Sequence, residues 1–222
     1  MGKSRKKQVM EEDAFSVSIG DLMAGILSVF ILVLCYYAME YNKATSQYTS
    51  GKAIRAEFIE TIATDYKKAT GFELEIKADE GLVILPENLL FERSSYEIKD
   101  ERGKKALRQL TDIIWDKLKD PRYTSIIDTV FIEGHTDSAQ YTNGVFDNWK
   151  LSAFRAIGTW DEMRAHNKEL NKAKNNRGES LFSVSGYADT RKTDKVDDKG
   201  VHDDGADRRI NIRFTVTPPE KK

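Results

Sequence analysis

The sequence predicts an α+β fold: an α/β sandwich with one mixed sheet and its helices on one face, preceded by a single transmembrane helix. Three observations predict it. Leu22–Met39 runs for eighteen residues without Lys, Arg, Asp or Glu, long enough to cross a hydrocarbon core as a helix. Five later segments are short and either alternating or β-branched, as strands are. Two segments among them repeat apolar residues at helical spacing.

Residues 1–15 form a charged N-terminal tail. Lys3, Arg5, Lys6 and Lys7 precede the span, which predicts a cytoplasmic N-terminus and an exported remainder. The span covers 16–39. Tyr36, Tyr37 and Tyr41 stand at its far end, where an aromatic belt is expected. The apolar run is longer than the core of a signal peptide and no small-x-small cleavage site follows it. Cys35 is the single cysteine, so no disulfide within the chain supports the exported part. One charge, Asp21, sits near the start of the span. Its chemistry allows two readings: an interfacial carboxylate favoured by the helix dipole, or an ion carrier facing a channel lined by a partner.

Residues 40–71 read as a linker helix and a possible plug. Ile54, Phe58, Ile62 and Tyr66 form one narrow stripe, which suits packing on the chain's own domain, pairing in a dimer, or covering a channel. The domain proper is expected over 72–217. Phe72–Lys77 alternates as a strand, Asp79-Glu80-Gly81 is a turn, and Leu82–Leu85 is the returning strand. Asp100–Leu118 is a helix with Leu107, Leu110, Ile114 and Leu118 on one face, stopped by Asp120-Pro121. Ser125–Ile132 is a buried strand. Trp149–His166 is a second helix, with Leu151, Phe154, Ile157 and Met163 expected in the core. Leu181–Gly186 and Arg208–Val216 are the last strands, before a tail at 218–222.

Thirty-five basic and thirty-six acidic residues nearly cancel, which gives no nucleic-acid footprint. The acidic stretch from Asp194 to Asp207 lacks EF-hand spacing and reads as a solvated loop. His135, His166 and His202 show no metal spacing. No phosphate-cradling loop is present and Ser152 has no evident base partner, so no enzyme and no cofactor are expected.

One constellation carries ligand chemistry. The strand ending at Ile132 runs into Glu133-Gly-His-Thr-Asp137, and Asn148-Trp-Lys-Leu151-Ser-Ala-Phe-Arg155-Ala opens the second helix. A carboxylate at a strand end beside a bidentate Arg on the next helix can grip a zwitterion; the same pair can also be a structural ion pair.

These segments, with Gly186-Tyr-Ala-Asp189, Asp207-Arg-Arg-Ile210-Asn-Ile212 and the earlier Leu89-Leu-Phe91-x-x-Ser94-Ser95, resemble the OmpA-like peptidoglycan-binding domain over about residues 72–217. The resemblance implies that Asp137 and Arg155 clasp the diaminopimelate of the peptidoglycan stem peptide, with Thr136, Asn148 and Leu151 at the surrounding motif positions. The loop 138–147 is longer than the family's, and 192–207 lacks a proline often found there.

Ile19-Gly-Asp21-Leu-Met-Ala24 and its apolar run resemble the single helix of MotB-type stator subunits, which implies that Asp21 is the proton carrier. The departure from the flagellar Tyr-Ala-Asp-Phe-Met pattern favours the B subunits of Zorya anti-phage defence systems. The implied function is a wall-anchored stator subunit of a proton-driven inner-membrane motor, in anti-phage defence. The implied partners are a second copy of the chain, a multi-helix MotA-like subunit, five around two copies, and cytoplasmic effectors reached through it. Sodium is the alternative ion. A flagellar stator and a passive membrane-tethered wall anchor are the alternative functions.

Overall fold

The computed structural model describes residues 2–92, 95–139 and 147–218, with side chains from residue 16 onward. The basic side chains of the N-terminal tail, Ser94 of the first-loop motif, most of the loop 138–147 and residues 219–222 therefore lie outside the described residues. The chain divides into two compact units, one ending at Gln47 and one running from Tyr48 to Pro218.

The first helix, α1, spans Gly2–Thr70. In the N-terminal unit its large apolar side chains are exposed, Leu22, Met23 and Leu32 each by about two thirds. It is the one helix among the described residues long and apolar enough to cross a membrane. Ser28 donates to the carbonyl of Ala24 at 2.8 Å, so that hydroxyl is satisfied within the helix.

The second unit is built on a five-stranded sheet. Its strands are β1 (Glu75–Lys77), β2 (Leu82–Pro86), β3 (Ile127–His135), β4 (Phe182–Gly186) and β5 (Arg209–Val216). Their order is β1-β2-β5-β3-β4. Only β3 and β4 are parallel, joined by a helical crossover, and every other pair is antiparallel, which makes the sheet mixed. Opposed pairs set the two faces. Val83 opposes Ile212 and Leu85 opposes Ile210 across β2–β5, while Val130 opposes Phe214 across β3–β5. These buried side chains form one face of the core. The alternate positions put Glu133, His135, Asn211 and Arg213 on the other face.

The core face meets α3 (Glu101–Leu118) and α5 (Asn148–His166), with short helices α2 (Glu87–Leu90), α4 (Pro121–Thr124) and α6 (Asp204–Asp207) at the connections. Asp100 caps α3 by accepting from Arg102 N, and Leu107, Leu110, Ile114 and Leu118 are buried as their spacing predicts. Asp120 caps α4 ahead of Pro121.

The stripe on α1 packs into this same core. Phe58, Ile59 and Ile62 are fully buried and Tyr66 nearly so. The Phe58 ring lies 5.0 Å from both Tyr123 and Phe214. Of the roles open to this stripe, packing on its own domain is the one the structure displays.

Two expected core positions differ. Phe154 and Ile157 are each 39% exposed. The buried face of α5 is instead Leu151, Ser152, Arg155, Ala156, Thr159 and Met163. The cause is close packing on two glycines. A Cβ on Gly134 would stand 2.0 Å from the Ser152 carbonyl oxygen, and one on Gly186 would stand 2.5 Å from Ala153 N. At that close approach the small Ser152 and Ala153 are what fit, while Leu151 and Met163 are buried as their spacing predicts. The acidic loop differs in one residue as well. Asp207 is buried and accepts from Thr193 N at 2.7 Å and Thr193 Oγ1 at 3.1 Å.

Candidate ligand site

The site forms where β3 ends and α5 begins. Asp147 caps α5 by accepting from Lys150 N at 2.8 Å. Asn148 then reaches back, donating to the carbonyls of Asp137 at 3.2 Å and Ala139 at 3.0 Å. The helix start is thus tied to the strand exit. Leu151 is buried beneath it. Ser152 donates to Trp149 O at 2.9 Å and accepts from Ala188 N at 3.0 Å; that double use makes it a packing residue and not a nucleophile. The segment after β4 closes the other side, with Tyr187 N on Gly134 O and Thr136 N on Ala188 O, both at 2.9 Å. Ala188 has φ 49°, a left-handed conformation rare outside glycine. Thr136 is buried and its hydroxyl has no partner among the described residues.

Thr136, Asp137, Asn148, Leu151 and Arg155 therefore converge, but Asp137 and Arg155 have separate partners. Arg155 is buried, with its side chain 3% exposed. It donates through Nε to Ser95 O at 2.8 Å and through Nη2 to Glu87 Oε1. Its guanidinium also lies 5.4 Å from the Phe91 ring. Glu87 Oε2 is 2.8 Å from Arg208 Nε, and Arg208 Nη1 donates to Asp137 Oδ2 at 2.6 Å. The result is a ladder of alternating charge: Asp137, Arg208, Glu87, Arg155. Two carboxylates and two guanidinium groups balance. Burial pushes the Arg155 guanidinium below its usual range, with Glu87 opposing that shift. The hydrogen bond to Asp137 moves Arg208 the other way. A ladder of this kind can exchange its internal partners for the ammonium and carboxylate of a bound zwitterion.

Two rungs carried no assignment from the sequence. Arg208 lies in a motif quoted above, so its place was visible and its role was not. Glu87 gave no signal: it is one acid after Pro86 in a four-residue helix. Asp21 belongs to the N-terminal unit, where it is exposed on α1.

On the other sheet face lies a second buried cluster. Arg213 donates to both oxygens of Glu133, at 2.8 and 3.0 Å. Burial alone would raise the Glu133 carboxyl, but the nearby His135 ring, 3.8 Å away, and the hydrogen-bonded Arg213 guanidinium outweigh it and hold the group at about 2. Burial pushes His135 down, so near neutrality it is Arg213 that carries the balancing charge. His135 stacks on Tyr187 at 5.4 Å between ring centres. His202, Asp204 and Asp207 bring one ligand atom each to within 4.8 Å of one another, and His202 Nε2 is hydrogen-bonded to Asp207 Oδ2 at 2.7 Å, with Asp207 already held by Thr193.

No family model matches the sequence. The chain is 33% identical over 108 residues to LafU of Escherichia coli strain K12, a truncated protein named for flagellar export and assembly; the match covers 46% of this chain and 45% of that one. It is also 33% identical over 106 residues to LafU of Escherichia coli O44:H18 strain 042, covering 46% of this chain and 31% of that one. The matched stretch thus spans less than half of either relative. Among solved structures, a MotB-like protein from Desulfovibrio vulgaris superimposes with a TM-score of 0.57 at 18% identity, covering 77% of this chain and 99% of that one. The two chains share their fold.

Proposed function

We propose that this chain is the wall-anchored stator subunit of an ion-driven motor in the bacterial inner membrane, with the ladder site holding the diaminopimelate of a peptidoglycan stem peptide. The observation that carries the reading is the convergence of Thr136, Asp137, Asn148, Leu151 and Arg155 at one strand-to-helix junction, on a fold shared with a MotB-like protein.

In this reading α1 crosses the membrane once, with the tail 1–15 in the cytoplasm and the domain in the periplasm. Two copies stand inside a ring of a separate multi-helix subunit, because one helix cannot line a channel alone. Asp21 takes up and releases the proton. A carboxylate at the centre of a membrane helix costs roughly 2.5–3.5 kcal/mol to insert; Asp21, near the start of the span, carries part of that cost, which a channel-facing role would use. One charge crossing 100 mV supplies about 2.3 kcal/mol, enough to bias a two-state interface. The wall contact keeps the complex still while the partner turns. In the anti-phage version that motion reaches cytoplasmic effectors through the partner.

A flagellar role is the second reading, favoured by the names of the two Escherichia coli relatives. One experiment separates these readings from a passive anchor. Phage plating and swimming are scored on cells carrying the chain's native operon, with wild type or Asp21→Asn. A motor loses its phenotype on Asp21→Asn while the complex still assembles, and the phenotype that is lost, protection or swimming, names the version. Equal performance by both chains leaves only the anchor.

A further inference from the structure

We propose that the sheet face opposite the core holds a second binding site, for a phosphate group, formed by Arg191, Arg209, Arg213 and the Nδ1–H of His135. A cavity of about 390 Å³ lies there against β2, β3 and β5, and these four residues line it with Leu82 and Ile84. Its size is that of a small-molecule pocket. Asp137 and Arg155 take no part in it, so it stands apart from the wall-binding reading.

The polarity of one hydrogen-bond chain assigns the His135 donor. Arg209 Nε can only donate, so the Asn211 side-chain oxygen accepts from it at 3.2 Å. That turns the Asn211 amide nitrogen toward His135 Nε2, 3.1 Å away. An amide nitrogen has only hydrogens to offer, so Nε2 accepts and the ring proton of neutral His135 sits on Nδ1. Burial pushes His135 down, which keeps it in this neutral form. Nδ1 is buried and has no partner among the described residues. A buried donor left without an acceptor is costly, and an acceptor brought by a ligand relieves that cost.

The charges call for an anion. Arg209 is buried, and its partners are the neutral oxygens of the Asn211 side chain and of the Asp207 and Arg191 backbone. Arg213 holds Glu133, and Arg191 Nη1 stands 3.9 Å from the same carboxylate. At the rim, Lys77 pairs with Glu80 and Lys195 with Glu75. Three guanidinium groups thus face one carboxylate, which leaves two positive charges in excess. A phosphate monoester carries about −1.5 to −2 at neutral pH with three strong acceptor oxygens, whereas a carboxylate brings a single charge. The wall of the cavity is pinned for this use: Arg209 Nη2 donates to Arg191 O at 3.0 Å and Thr193 N to Asp207 at 2.7 Å. The Arg191 side chain is half exposed, with its guanidinium 3.5 Å from the Tyr187 ring centre, placed to close over a bound anion.

The test titrates the full chain in nonionic detergent micelles with inorganic phosphate and with glucose 1-phosphate, by calorimetry, with acetate as the control anion. The His135 ring nitrogens are followed by NMR, and a melting curve is taken for each variant. Wild type is expected to bind a phosphate probe, to melt at a higher temperature in its presence, and to show a ring proton on Nδ1 whose signal shifts on titration. Arg209→Gln and Arg191→Gln are each expected to weaken binding about tenfold or more, as loss of a charged hydrogen bond does. Should Arg209→Gln lose the fold, Arg191→Gln, at the exposed mouth, carries the test. Tighter binding of glucose 1-phosphate assigns the site to an esterified phosphate and tighter binding of inorganic phosphate to the free ion, and either supports the site. No binding of either probe up to about 10 mM, acetate bound as tightly as phosphate, or wild-type affinity in a folded Arg191→Gln chain overturns it.

Discussion

At the scale of single residues, the buried carboxylates Glu87 and Glu133 each face an arginine, and Glu133 sets a testable limit. Glu133 sits nearly inaccessible between His135 and Arg213, with its carboxyl held at about 2 against an ordinary 4.5. A depressed carboxyl contributes stability above its unfolded value, and that contribution is lost as the pH falls from about 4.5 towards 2. The difference amounts to on the order of 3 kcal/mol. Denaturant unfolding at pH 5 and pH 2.5 is expected to show this loss. Glu133→Gln should be less stable near neutrality, because Arg213 loses its partner, and should shed that part of the acid dependence. Ala188 adds a second residue-scale feature. Its positive φ places its N–H on Ser152 and its carbonyl on Thr136 N, so the strained residue is the joint that sets the floor of the ligand site.

At the scale of elements, the approach of α5 to β3 and β4 decides where the site's groups stand. Gly134 permits it. In Gly134→Ala the new methyl meets a backbone oxygen at 2.0 Å, which no rotamer change relieves. The helix must back away or the sheet must bend, at about 3 kcal/mol or more on the overpacking scale. A melting curve by circular dichroism is expected to show a strongly destabilised or unfolded domain. The C-terminal part of α1 is equally integral. Phe58, Ile59, Ile62 and Tyr66 are core residues, and losing even two of them costs about 2–5 kcal/mol each, comparable with a whole domain's stability of about 5–15 kcal/mol. A fragment of residues 48–218 is expected to fold and resist limited proteolysis, and one of 72–218 is expected to be digested. A plug that leaves the domain intact must then come from residues before 54, since detaching 58–66 opens the core.

At the scale of the whole molecule, the chain joins an apolar helix carrying one carboxylate to a domain with a balanced charge ladder. The two parts give separable predictions. Residues 48–218 are expected to co-sediment with purified sacculi, and Asp137→Ala is expected to stay in the supernatant while melting near the wild-type temperature, since Asp137 is an outer rung with its side chain 17% exposed. Co-sedimentation of Asp137→Ala at the wild-type level would remove the ladder from the wall contact. On the proposed reading, Asp21→Asn in the full chain is expected to leave sedimentation unchanged while the motor phenotype is lost, and a loss of both would count against separate roles for the two units.

Much of this was written in local sequence. Alternating runs located the first and last strands, short apolar or β-branched runs the other three, and the Leu107–Leu118 stripe located α3, because a residue's burial within one element follows from geometry repeated every two or every 3.6 positions. Asp100 opens the first domain helix in sequence, and the structure shows it, Asp120 and Asp147 as caps; in sequence Asp120 marks only part of a stop. The motif residues Thr136, Asp137, Asn148, Leu151 and Arg155 were legible as a group. Their partners were not. Glu87 is 68 positions from Arg155, and Arg208 is 71 from Asp137; they meet because the sheet runs β2-β5-β3, with β5 between the other two. The inward face of α5 was half legible: Leu151 and Met163 are buried as expected, but contact with Gly134 and Gly186 brings Ser152 inward, where no apolar signal marks it. Sequence determined the elements and the chemical groups on them, because those depend on neighbours along the chain. The tertiary structure alone decided which charge faces which, because that depends on neighbours across it.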